Sequence, residues 1–139
     1  MAGHGPGSLT IQVLDMVQGI PAEGMRIDLW RLDPDPAQVA EARTEASGSP
    51  PAPLLAPEGF RAGLYELRLH VGAYFAARGL GPAPPFLEAV ILRLGLADGQ
   101  GPYHVPLLCS PWSCTACRGS QGGAVRAAAG RAAVTGFTP

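Results

Sequence analysis

Lysine is absent from this chain: all ten basic residues are arginine. Charge of either sign is scarce, at 15% of residues, and the net charge is −1. A polyanionic backbone needs a basic face to bind, so nucleic acid is excluded as a partner. No apolar run approaches the roughly 20 residues that cross a bilayer, so no membrane segment is expected. The opening residues, MAGHGPGS, lack a charged stretch followed by an apolar one. No secretory signal is read there, and a cytoplasmic protein is expected. Cysteine is rare and odd in number, three in all, which excludes a disulfide framework. Long helices are excluded too, because fifteen prolines and nineteen glycines interrupt them.

What remains is a turn-rich β protein, and 139 residues suffice for one domain with its own core. Residues 1–8 are Gly-rich and read as a flexible N-terminus. Leu9 to Asp15 alternates, with Ile11 and Val13 on one face and Thr10, Gln12 and Leu14 on the other, the pattern of a half-buried strand. Met25 to Leu32 alternates again, placing Met25, Ile27 and Leu29 together. Val39 to Ala46 reads as a third strand and Leu54-Leu55 as a short edge strand. Leu64 to His70 is the cleanest, with Tyr65, Leu67 and Leu69 inward and Glu66, Arg68 and His70 on a solvated face. Ala73 to Arg78 reads as a helical turn or two. Phe86 to Leu94 reads as a long, mostly buried strand, and Asp98-Gly99 carries hairpin-turn chemistry.

Tyr103 to Ser120, YHVPLLCSPWSCTACRGS, organises the rest. It reads as two antiparallel strands joined at Ser110-Pro111, ending in a polar tail. It holds His104 and all three cysteines, Cys109, Cys114 and Cys117. A structural zinc needs four ligands, and no second pair stands at suitable spacing, so no metal is assigned. Cys-x-x-Cys as a redox motif needs a helix N-terminus, and this one falls on a strand. Seven or eight short strands at even spacing describe an all-β sandwich or barrel. Residues 121–139 are Ala- and Gly-rich without strand pattern and read as a disordered C-terminal extension.

LTIQVLD, GIPAEGMRIDLWRL, AGLYELRLHVGAYF, FLEAVILRLGLAD, YHVPLL and SPWSCTACRGS, in that order over residues 8–120, resemble the transthyretin-related 5-hydroxyisourate hydrolases. The resemblance implies a transthyretin-like sandwich, eight strands in two sheets with one short helix, spanning residues 9–120. It implies a homotetramer with no metal or organic cofactor. The activity implied is hydrolysis of 5-hydroxyisourate to 2-oxo-4-hydroxy-4-carboxy-5-ureidoimidazoline in urate degradation.

The family's site residues carry over one at a time. The YHVP histidine is His104. The first-strand histidine of the pattern THVLD falls on Gln12, and the loop arginine of the pattern DGR falls on Ser49. These three form the expected catalytic set. The substrate-binding tail keeps Arg118, Gly119 and Ser120, while its tyrosine is Cys117. Glutamine does not titrate near neutral pH, and a serine lacks the fixed charge and fork of a guanidinium. His104 is therefore the expected base.

In the family's sheet the first strand and the YHVP strand are neighbours, so Gln12 and His104 share an outer face. Leu14, Pro106 and Leu108 make that face apolar, as a subunit interface would be. Two functions are open at this point. One is the hydrolase, with activity reduced by the substitutions. The alternative is a non-catalytic transthyretin-like tetramer holding a small ligand in its central cleft.

Overall fold

The computed structural model describes residues 7–119. Ser120, expected to bind substrate, the extension 121–139 and most of the N-terminal segment lie outside the described residues. Eight strands run through the described part: β1 Ser8–Asp15, β2 Ile20–Pro21, β3 Arg26–Arg31, β4 Ala37–Arg43, β5 Gly63–Leu69, β6 Val90–Leu96, β7 Pro102–Cys109 and β8 Cys114–Ala116. One short helix, α1 Val71–Ala76, follows β5. Two four-stranded sheets form, ordered β2-β1-β7-β8 and β4-β3-β5-β6. The expected two-sheet sandwich with one short helix is the fold observed.

The core lies between the sheets and is built by alternation. Leu9, Ile11 and Val13 of β1 are fully buried, as are Ile27 and Leu29 of β3 and Tyr65, Leu67 and Leu69 of β5. Helix α1 covers one end of the sandwich with Val71, Tyr74 and Phe75, all buried. The fourth inward position of β1 is a carboxylate. Asp15 is 1% exposed and accepts bonds from Val17 N, Gln18 N, Gln18 Nε2 and the Tyr74 hydroxyl at 2.7–2.9 Å. A buried charge survives only with such partners.

Several strand assignments differ from the sequence reading. The strand expected at Phe86 starts at Val90, and Phe86 is 66% exposed. It is not buried on both faces either, because β6 lies at a sheet edge and turns Ile91 to the outside. Asp98-Gly99 is a turn but not a hairpin: β6 pairs with β5, whereas β7 pairs with β1 and β8 in the other sheet. Strand β4 begins at Ala37, two residues before the expected start, and a bulge interrupts its pairing with β3 at Leu29/Trp30. Leu54-Leu55 makes only an isolated bridge to Leu9. Helix α1 starts at Val71, two residues early.

The outer face of β5 is not simply solvated. The Glu66 side chain is 12% exposed, bonded to Arg68 Nε at 2.7 Å and close to Arg93 Nε at 3.6 Å. Arg68 stacks over Trp30, 4.5 Å from the ring centre. His70 Nε2 meets Asp28 Oδ2 at 2.9 Å. Arg68 and Arg93 cover Glu66, and His70 pairs with Asp28, so both carboxylates are largely removed from water.

Candidate functional site

Strands β1 and β7 lie side by side and parallel, pairing Thr10 with His104, Gln12 with Pro106 and Leu14 with Leu108. Their inward residues fill the core, so by period two Thr10, Gln12, His104 and Leu108 share the outer face. Thr10 Oγ1 lies 2.7 Å from His104 Nδ1 and 3.4 Å from the carbonyl of Tyr103. When Nδ1 carries the proton, it donates to Thr10, whose own hydroxyl turns to the Tyr103 carbonyl. That tautomer leaves Nε2 as the free lone pair. Partial burial disfavours the imidazolium and holds the His104 pKa below the ordinary value of 6.5. The ring is neutral at pH 7.

Gln12 stands two residues along β1, about 7 Å from the Thr10–His104 pair at the usual strand rise. Its Nε2 donates to the carbonyl of Ser47 at 3.0 Å, which leaves its own Oε1 as an acceptor facing the same surface. The 47–49 loop is clamped beside β1. Gly48 O accepts from Val13 N at 2.8 Å, Gly48 N donates to Glu45 O at 2.8 Å, and Ser49 O accepts from Glu45 N at 2.8 Å. Gly48 has φ +85, and a Cβ there would overlap the Val13 carbonyl. Only glycine brings the loop this close to the strand.

The tail reaches His104 through the backbone. Gly119 N donates to His104 O at 2.8 Å, so Gly119 pairs directly with the histidine. Arg118 points the other way. Its guanidinium lies 4.2 Å over the Tyr103 ring, and Nη2 donates to the Gln100 carbonyl at 2.9 Å. Tyr103 belongs to the core face, so in the single chain Arg118 and His104 occupy opposite sides of the sheet. Arg118 instead borders a cleft of about 300 Å³ with Leu92, Leu94, Leu96, Tyr103 and Val105.

The fold thus brings together His104, Gln12, the 47–49 loop and Gly119, and adds Thr10, which the sequence reading had left unassigned. The signal for Thr10 was its place on the Gln12 face; its partner follows only from the β1–β7 register. Chemically, the face offers a neutral imidazole with an anchored Nδ1, an amide acceptor and a loop of hydroxyls. Such a set can take a proton from water and orient a polar ring. Among the described residues no cluster of His, Cys, Asp and Glu is arranged to hold a metal ion.

The HIUase/Transthyretin family profile matches residues 9–119. "5-hydroxyisourate hydrolase 2" of Rhizobium meliloti (strain 1021) is 46% identical over 116 residues, covering 82% of this chain and 97% of that protein. The solved structure of Klebsiella pneumoniae 5-hydroxyisourate hydrolase superposes with a TM-score of 0.69 at 27% identity, covering 84% of this chain and 96% of that one. The crystal structure of (S)-allantoin synthase superposes with a TM-score of 0.77 at 42% identity. It covers 84% of this chain, which spans only 45% of that larger one.

Proposed function

The chain belongs to the HIUase/transthyretin family, and from that premise we infer that it is a 5-hydroxyisourate hydrolase whose base is His104. The observation that carries the assignment of the base is the 2.7 Å contact between Thr10 Oγ1 and His104 Nδ1. With Nδ1 as the donor to Thr10, it orients the imidazole and leaves the Nε2 lone pair as the base.

In the proposed reaction, His104 Nε2 takes a proton from water as its oxygen bonds to the ring carbonyl carbon. The ring C–N bond then breaks, and the imidazolium returns the proton to the departing nitrogen. Gln12 Oε1 accepts a hydrogen bond from the other O–H of that water and holds the nucleophile in line. Ser49, at the end of the clamped loop, donates to a substrate oxygen. Arg118, Gly119 and Ser120 form the substrate-binding set. Because Arg118 and His104 lie on opposite sides of the sheet in one chain, Arg118 serves the developing oxyanion of a neighbouring protomer's site across the proposed seam, where a charged donor is most effective. Thr10 is a positioning residue and does not touch the substrate.

We further propose a homotetramer in which the outer face of β1 and β7 forms the seam. Its support is the outward, half-buried Leu14 beside the site residues; Pro106 and Leu108, expected to add to an apolar outer face, are already buried within the single chain. Exposed Val17 and Ile20, at 51% and 48%, extend the apolar surface past the end of β1. Sedimentation of the full chain reports the assembly directly. We assign the enzyme to the cytoplasm, where its three free cysteines stay reduced.

The primary test generates 5-hydroxyisourate from urate with urate oxidase and follows its ultraviolet decay with and without this protein. Acceleration above the spontaneous rate supports the hydrolase. Decay at the spontaneous rate leaves the ligand-holding tetramer. Two variants refine the roles. Thr10→Val keeps the shape but frees Nδ1; kcat is expected to fall about tenfold with KM little changed. The nitrogen-15 spectrum of His104 should then show a mixed tautomer where the parent shows one. The double variant Gln12→His with Ser49→Arg adds a second imidazole and a fixed cation. It should raise kcat/KM about tenfold, or ~1.4 kcal/mol of transition-state stabilisation.

A further inference from the structure

Cys109 and Cys114 face each other across the β7–β8 hairpin. Their sulfurs are 3.4 Å apart, and both thiols are free. The next pair toward the turn is closed by Ser110 N donating to Ser113 O at 2.8 Å. Antiparallel pairs alternate, so Cys109–Cys114 is a non-hydrogen-bonded pair, the kind in which side chains approach closest, with Cα atoms about 4.5 Å apart. A disulfide accepts that separation without moving the backbone.

The two sulfurs differ in access. Cys109 is fully buried in the core, whereas Cys114 is half-buried on an edge strand. Either thiol can donate across the 3.4 Å contact; with Cys109 as donor, that bond outweighs burial and holds the Cys114 thiol below its ordinary pKa. The same bond, with burial, pushes the Cys109 thiol up. Thiolate character is therefore favoured on the sulfur of the less buried residue, with a second sulfur already in contact beside it.

We propose that Cys109 and Cys114 form a peroxide-oxidisable dithiol, a disulfide-forming modification site in the hairpin that also carries His104. The Cys114 thiolate attacks one oxygen of hydrogen peroxide. The O–O bond breaks, hydroxide leaves and is protonated to water, and Cys114 becomes a sulfenic acid. The Cys109 sulfur then attacks the Cys114 sulfur, the S–O bond breaks, and the departing hydroxide takes the Cys109 proton as a second water. Two thiols lose two electrons and two protons, and one peroxide becomes two waters. A dithiol reductant reverses the step by thiol–disulfide exchange.

The test treats the reduced, native full chain with a modest excess of hydrogen peroxide, then blocks free thiols and unfolds it. Free thiols should fall from the three of the sequence to one, with the intact mass lower by two hydrogen atoms. Cleavage after Trp112 should give fragments that stay joined until reduced. Cys117→Ser should keep the linkage and leave no free thiol, and Cys114→Ser should abolish it. Retention of three thiols, stepwise gain of oxygen atoms, a Cys109–Cys117 linkage or a bond between chains would each overturn the proposal.

Discussion

Replacing His104 by alanine is expected to slow enzymatic ring opening by roughly 10²–10⁴-fold, the usual contribution of a general base. Gln12 and Ser49 cannot take over, because neither side chain titrates near neutral pH. The loss should fall on kcat rather than on KM, since the base acts as the water proton moves. The unmodified enzyme supplies a second readout. A base works when neutral, so the rate should rise with pH through the His104 pKa and level off above it. Burial holds that pKa below 6.5, so the acid limb belongs below pH 6.5 and the plateau should already be reached at pH 7. An acid limb centred above pH 7, or a His104→Ala rate equal to the parent, would remove His104 from the mechanism.

The second large effect is on stability. Asp15→Ala should cost about 3 kcal/mol, because it strands the buried Tyr74 hydroxyl and removes the acceptor that ties down the part-buried amides after β1. Val17 N, Gln18 N and the Tyr74 hydroxyl all lose their acceptor. Burial alone would raise the Asp15 pKa, but the bonds from Gln18, Tyr74 and Val17 together outweigh it and hold the carboxyl below 3.8. On the other side of the bond, burial and then Asp15 push the Tyr74 phenol up to about 12. A depressed folded pKa gives stability that is present above the unfolded carboxyl value and lost as pH falls through the folded one. Urea unfolding at pH 7 should show the full gap between parent and variant. At pH 3 and below the gap should narrow, as the parent carboxyl protonates. A gap independent of pH would mean that Asp15 acts through its shape and not its charge.

Much of the sandwich was legible because its inner faces alternate cleanly. Tyr65, Leu67 and Leu69 marked a strand that proves to be an inner one of its sheet, and Ile11 and Val13 marked an inner strand of the other. The run FLEAVILRL misled because an apolar outward residue such as Ile91 reads the same as a buried one, and edge position is a property of the sheet, not of the segment. Asp98-Gly99 gave the turn but not its destination, since turn chemistry describes local backbone and not which layer the next strand joins. At the candidate site, alternation turned Gln12 and His104 outward, and the strand adjacency implied by the family resemblance put them on a common face. Thr10 escaped because its bond to His104 joins residues 94 apart in sequence, and no local pattern encodes that pairing. The direction of Arg118 escaped because it lies beyond the end of β8, where its stacking on Tyr103 decides the face.

The parallel pairing of β1 with β7 has a consequence for how the protein comes into being. The sheet of β4, β3, β5 and β6 draws all its members from the middle of the chain and can close while synthesis is still under way. The opposite layer cannot, because β1 leaves the ribosome first and waits for β7, about ninety residues behind. Until then Gln12 has no imidazole beside it. A nascent chain stalled before Pro102 therefore carries half a sandwich, and the face that holds Gln12 and His104 forms only once β7 has joined β1.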